Sequence, residues 1–177
     1  FELVPRQGDV SLVVTLNSKL LRQERVVVAR SVIVAEVTQV YERLHATFSM
    51  TALHKAVDAF EFRLPAGFEV TYVQSPQMAR WSVDSSGGDR ILRIHLREQT
   101  AGLVVLSLSA IRAAPKLDAW SMPRLIPLDV EGQVSVVGLV LEDRLQPRSL
   151  KTDGLIPVDT LVLTRALPAS VFQAEPG

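Results

Sequence analysis

Proton transfer and metal binding near neutral pH draw first on histidine, and the chain has three: His45, His54 and His95. His45 and His54 lie nine residues apart, outside the H-x-x-x-H and H-E-x-x-H frames that set two imidazoles on one helix face, so no dedicated zinc site is expected. His95 stands two residues from both Arg93 and Arg97, a spacing that places all three on the solvated face of a strand. The chain has no cysteine, which removes disulfides, thiolate metal sites and cysteine nucleophiles together. A serine hydrolase sets its nucleophile on a sharp turn such as G-x-S-x-G; none occurs, and Ser85-Ser86-Gly87-Gly88 reads as a flexible turn. Phosphate-cradling glycine loops are absent too, so no nucleotide cofactor is expected. Glu61 and Glu69 flank one turn, where paired carboxylates read as solvation rather than as a glycosidase dyad. No catalytic residue and no cofactor is assigned.

Binding offers more. Asp84, Asp89, Asp153 and Asp159 fall in expected loops and supply the hard oxygens of a calcium-assisted module, although no D-x-D-x-D-G frame orders them. Trp81, Trp120, Tyr41 and Tyr72 are the Trp and Tyr residues of the chain; Trp81 lies in a strand pattern and is read as core, whereas Trp120, among prolines, is the candidate surface anchor. Arg80, Arg90, Arg93 and Arg97 fall within 18 residues and suit bidentate contacts to carboxylates, with Arg93 and Arg97 the candidate protein-facing pair. Asp84, Asp89 and Glu98 are interleaved and are expected to pair with much of that charge across strands. Overall, 19 Lys and Arg balance 19 Asp and Glu, which argues against nucleic acid as a partner.

The elements that position these residues read as strands. Valine leads the composition with 25 copies, against 24 leucines, and β-branched residues favour pleated surfaces. Val10, Leu12, Val14 and Leu16 alternate with Ser11, Thr15 and Asn17; Val13 is the misfit. A polar reversal over residues 17–24 precedes the run RVVVARSVIV. Residues 36–53 read as one long, bent strand, because Leu44, Ala46, Phe48 and Met50 alternate with Arg43, His45, Thr47 and Ser49. Phe60, Phe62 and Leu64 lead into a Pro65-Ala66-Gly67 turn and a strand with Phe68, Val70 and Tyr72, expected as a hairpin. MARWSVD, RILRIHLRE and TAGLVVLSLSAIRA follow as separate strands, Gly102 starting the last after a tight turn. GQVSVVGLVLED reads as a strand, and DGLIPVDTLVL as an edge strand or pair, Pro157 favouring the edge.

These readings give an all-β fold: a β-sandwich of roughly eight to twelve mainly antiparallel strands with a long Pro-rich crossover. Residues 1–112 form its main portion, 113–128 the irregular crossover, 129–167 the C-terminal strands that complete it, and 168–177 a linker-like tail. The pattern over residues 56–112, an L-P-x-G-x-x-V reversal, a short Trp-bearing strand, then L-x-I-x-L before a Gly-led strand, is similar in style to β-sandwich modules of large exported bacterial proteins. Because the chain starts at Phe1, it is expected to be a segment of a longer protein, extracytoplasmic by that resemblance. No stretch approaches the roughly 18–20 apolar residues of a bilayer-spanning helix, so no membrane insertion by this segment is expected. The expected function is a non-catalytic structural or protein-interaction module, its partner a protein or a neighbouring domain of the same chain. Trp120, Arg93, Arg97, Leu155 and Val158 are the candidate contact residues, the last two on an edge available for β-augmentation. The alternatives are a carbohydrate- or calcium-assisted ligand module, or an accessory domain of an enzyme whose catalytic site lies elsewhere.

Overall fold

The computed structural model describes residues 24–85, 88–114, 116–149, 151–159 and 161. Seven strands lie among them: β1 (Val26–Val37), β2 (Tyr41–Arg63), β3 (Glu69–Gln74), β4 (Met78–Asp84), β5 (Ile91–Ala113), β6 (Ile126–Pro127) and β7 (Gly132–Leu141). All belong to one mixed sheet, with the path β3-β5-β2-β1-β7, β4 added to β5 and β6 added to β2. The β1–β7 pair is parallel and the others are antiparallel.

A single sheet buries a core here because its two longest strands fold over. β2 and β5 are 23 residues each. Their pairing slips where Ala52 opposes Gly102 and Val57 opposes Thr100, and His54 (φ 69°) and Gly102 (φ 90°) take left-handed backbone at the same level. The glycine adopts this conformation freely, whereas for His54 it is an uncommon backbone, set in the stretch between Ala52 and Val57 where the register slips. Phe48 and Phe62 lie fourteen residues apart in β2, about 46 Å if the strand ran straight. Their ring centroids are 4.8 Å apart, so the two halves of β2 face one another across the core. One layer is thus β3, the end of β5, the start of β2, β1 and β7; the other is β4, the start of β5, the end of β2 and β6.

Period-2 patterning decides which side chains enter. Leu44, Ala46, Phe48, Met50 and Ala52 of β2, with Val104, Leu106, Leu108 and Ala110 of β5, are buried from one layer. Phe60, Phe62, Leu92, Ile94 and Leu96 meet them from the other. Residues of the opposite parity form the outer faces.

Several boundaries differ from the sequence reading. Residues 36–53 are two strands, because the Thr38 hydroxyl accepts the Val40 (3.2 Å) and Tyr41 (3.0 Å) amides and closes a hairpin turn between β1 and β2. RILRIHLRE and TAGLVVLSLSAIRA are one strand, β5, and Gly102 bends it rather than starting it. The Pro65-Ala66-Gly67 turn exists, with Gly67 at φ 79°, yet it joins no hairpin. The end of β2 pairs with the start of β5, whereas β3 pairs with residues 107–111 of β5, so this turn carries the chain from one layer to the other. The stretch 113–128, expected to be irregular, contains the end of β5, a 3-10 turn at Leu117–Ala119 and β6. Seven strands lie among the described residues. Residues 151–159 hold no strand, so Leu155 and Val158 do not sit on a sheet edge; Pro157 and Gly154 (φ 77°) break the pattern that their β-branched neighbours suggest. The strand read at 10–17, the reversal up to residue 23 and the tail 168–177 lie outside the described residues.

Candidate interaction surface

At one end of the sandwich the structure spends its polar groups on itself. Glu42 points into the core with no exposed surface. Arg112 Nε donates to its Oε2 (2.6 Å) and Trp120 Nε1 to its Oε1 (2.9 Å). Arg112 Nη1 also donates to the Ala66 carbonyl (3.2 Å), and the guanidinium lies 4.6 Å from the Phe68 ring centroid. One buried carboxylate thereby ties together β2, β5, the layer-crossing turn and the segment that follows β5. Trp120, read from sequence as a surface anchor, is half-buried and serves this tie. Beside it opens a cavity of about 390 Å³ lined by Tyr41, Gly67, Glu69, Ile111, Arg112 and Ala113.

The outer face of the five-stranded layer carries a second cluster. Glu36 of β1 accepts the Tyr41 hydroxyl (2.8 Å) and faces Arg43 (3.6 Å) and His45 Nε2 (3.7 Å), while His45 Nδ1 meets Ser109 Oγ at 3.1 Å. Burial lowers the His45 pKa; Glu36 opposes that shift and Arg43 adds to it. Hydroxyl, imidazole and carboxylate therefore stand in the order of a hydrolase triad. Ser109, however, sits in the C-terminal half of β5, flanked by β2 and β3, where backbone N–H groups belong to the ladders and none converges as an oxyanion hole. Sequence reading did not find this cluster, since His45 and Ser109 lie 64 residues apart.

The outer face of the smaller layer holds the arginines. Arg93 Nε donates to Glu61 Oε1 (2.7 Å), Arg63 pairs with Asp89 (2.9 Å), and Arg97 Nε donates to the Met78 carbonyl (3.0 Å). Arg93 and Arg97 thus share a face as expected from their spacing, with Arg93 ion-paired across strands and Arg97 bound to backbone. Trp81, read as core, lies on the core-side parity of edge strand β4 and remains 38% exposed. Among the described residues no group of three or more His, Asp or Glu side chains gathers as a metal site. Asp89 faces Arg63, and Asp159 accepts the Leu161 amide (2.9 Å).

Apolar surface is left elsewhere. Beyond β7, Leu155 (53%), Ile156 (86%) and Val158 (52%) are exposed in succession. The Leu155 amide closes a local turn onto the Thr152 carbonyl (3.2 Å) rather than joining the sheet.

No protein-family model matches the chain, and no curated protein matches it in sequence. Among solved structures it is similar to an M1 zinc metallopeptidase from Deinococcus radiodurans, at 16% identity over 56% of this chain and 23% of that one, with a TM-score of 0.41. It is also similar to a non-cellulosomal cohesin from Archaeoglobus fulgidus, at 11% identity over 65% of this chain and 93% of that one, with a TM-score of 0.30. A type I cohesin–dockerin complex from Clostridium thermocellum is similar at 10% identity over 65% of this chain and 95% of that one, with a TM-score of 0.33. The chain spans less than a quarter of the metallopeptidase. Likenesses of this strength assign neither family nor function.

Proposed function

We propose that the chain is a non-catalytic β-sandwich module of a larger bacterial envelope or secreted protein, and that it binds a protein partner or neighbouring domain through residues 155–158. The carrying observation is the run of exposed Leu155, Ile156 and Val158 outside any strand. Burying a Leu, Ile or Val side chain is worth about 1.5–3 kcal/mol, which this chain leaves unused in three successive apolar positions around Pro157. Pro157 fixes its own φ and lacks an N–H, so the segment is pre-set to meet a groove as an extended peptide. The resemblance of residues 56–112 to modules of exported bacterial proteins supports the extracytoplasmic setting.

A photo-crosslinking residue placed at Ile156 of the full chain, in the cells that make it, tests this reading. The expected result is a discrete crosslinked protein that disappears when a synthetic peptide of residues 151–161 is added in excess. The same peptide carrying Leu155→Asp and Val158→Asp should leave the crosslink in place. Crosslinking that ignores the native peptide would overturn the assignment.

A further inference from the structure

The outer face of the smaller layer is balanced in charge at one end and uncompensated at the other. At the balanced end Arg63 meets Asp89 (2.9 Å), and in the next row Arg93 Nε donates to Glu61 Oε1 (2.7 Å). The row after that sets Arg80 of β4 directly opposite His95 of β5, and His95 opposes Ala59 of β2 on its other side, a methyl group that brings no charge. Arg97, two residues beyond His95, donates through Nε to the Met78 carbonyl (3.0 Å). That bond draws its guanidinium onto β4, at the residue two before Arg80. Arg80 and Arg97 are exposed and His95 is half-buried. Among the described residues no acid pairs with any of the three, and neither Arg80 nor His95 makes a side-chain hydrogen bond.

We propose that Arg80, His95 and Arg97 form a docking surface for an acidic segment of a protein partner, a run of the Asp-x-Asp kind. Cations set side by side on neighbouring strands cost stability, and an anion placed among them turns that cost into attraction. The guanidinium of Arg80 and the two terminal nitrogens of Arg97 present the planar fork that takes a carboxylate through two hydrogen bonds. Between them His95 offers a further N–H, since even a neutral imidazole carries one. Spacing selects the segment: residues two apart in a strand lie about 6.6 Å apart, so carboxylates at alternate positions of an extended peptide come level with positions 95 and 97. A long polyanion fits worse. Glu61 and Asp84 lie further along the same face, and the chain balances 19 Lys and Arg against 19 Asp and Glu, so a nucleic acid or sulfated glycan running past the three groups meets acids at once. Arg93, paired with Arg97 by its spacing in the sequence, is already held by Glu61. The surface draws on no residue of the 155–158 segment.

A fluorescent peptide of alternating aspartate and glycine, added to the full chain and followed by anisotropy, tests the proposal. Saturable binding at low salt is expected, weakening as salt rises and lost when asparagine replaces aspartate in the peptide. Arg80→Gln with Arg97→Gln should weaken binding about ten-fold or more. Arg30→Gln with Arg148→Gln removes the same charge from exposed arginines elsewhere and should change binding by less than about two-fold. Arg80→Lys with Arg97→Lys keeps the charge without the fork and should recover only part of the affinity. If the glutamine pair at 80 and 97 fails to fold, arginine-selective dicarbonyl labelling of the unmodified chain decides: the peptide should shield Arg80 and Arg97 and leave Arg30 and Arg148 reactive. Equal weakening by the two glutamine pairs, or no binding of the peptide, would overturn the proposal. So would a heparin fragment or a single-stranded oligonucleotide that binds through Arg80 and Arg97 more tightly than the peptide does.

Discussion

Edge strands β4 and β7 meet the same hazard in opposite ways. β4 is seven residues long and carries Arg80 and Asp84 on one face and half-exposed Trp81 on the other. β7 is ten residues long and carries no charge. Charges tolerate water and resist a foreign strand, so β4, beside which no second strand lies among the described residues, is suited to an open edge. β7 has no such device, and an edge of that composition persists where something covers it. The difference teaches that an interaction surface is recognised as much by the protection it lacks as by the residues it displays.

Both edges hang on one core, and breaking that core should release them together. Phe48→Ala removes the ring that meets Phe62 across the layers, and it should cost about 3–5 kcal/mol. Exchange at β4 and β7 would then rise in parallel as the melt stays single and cooperative; separate transitions would show that the layers are independent. Arg112→Ala leaves Glu42 buried without its cation, with an expected loss of up to about 3–5 kcal/mol in denaturant melts.

Substituting the edges themselves sharpens the contrast. Val136→Lys on β7 should destabilise the chain by about 1–2 kcal/mol, while Ser82→Lys on β4 should stay within about 0.5 kcal/mol. Equal effects would erase the distinction. Smaller still is the pH response of the five-stranded layer. Burial holds the folded-state pKa of His45 below its unfolded value of 6.5, so between those two values the unfolded chain binds more protons. Stability should therefore be full above about pH 6.5 and fall as pH drops toward the folded pKa. His45→Gln should remove that component of the slope, as measured by melts from pH 7.5 to 5. At the bottom of the scale, Arg93→Ala breaks an exposed pair with Glu61 and should cost no more than about 1 kcal/mol.

Strand identity was legible because period-2 alternation is local: Leu44 to Ala52 and Leu92 to Leu96 announce their buried face residue by residue. Connectivity was not. The Pro65-Ala66-Gly67 signal says that the chain turns, and the same residues serve a hairpin or a crossing between layers; the choice lies in which half of β5 accepts β3. His54 and Gly102 give no sequence sign that two strands bend at one level. β6 is two residues long, too short for any period to register. The site followed the same rule. Arg93 and Arg97 share a face because they are two apart, whereas Glu42 finds Arg112 and Trp120 at separations of 70 and 78 residues. The exposed apolar run at Leu155 to Val158 was visible, but its alternation suggested a strand that Pro157 and Gly154 do not allow.

Amide hydrogen exchange on the unmodified full chain tests the contrast between the two edges most directly. Amides of β7 that point away from β1 should exchange at least about ten-fold more slowly than amides of β4 that point away from β5, as expected where one edge is paired and the other open to water. Equal, fast exchange at both edges would contradict the account.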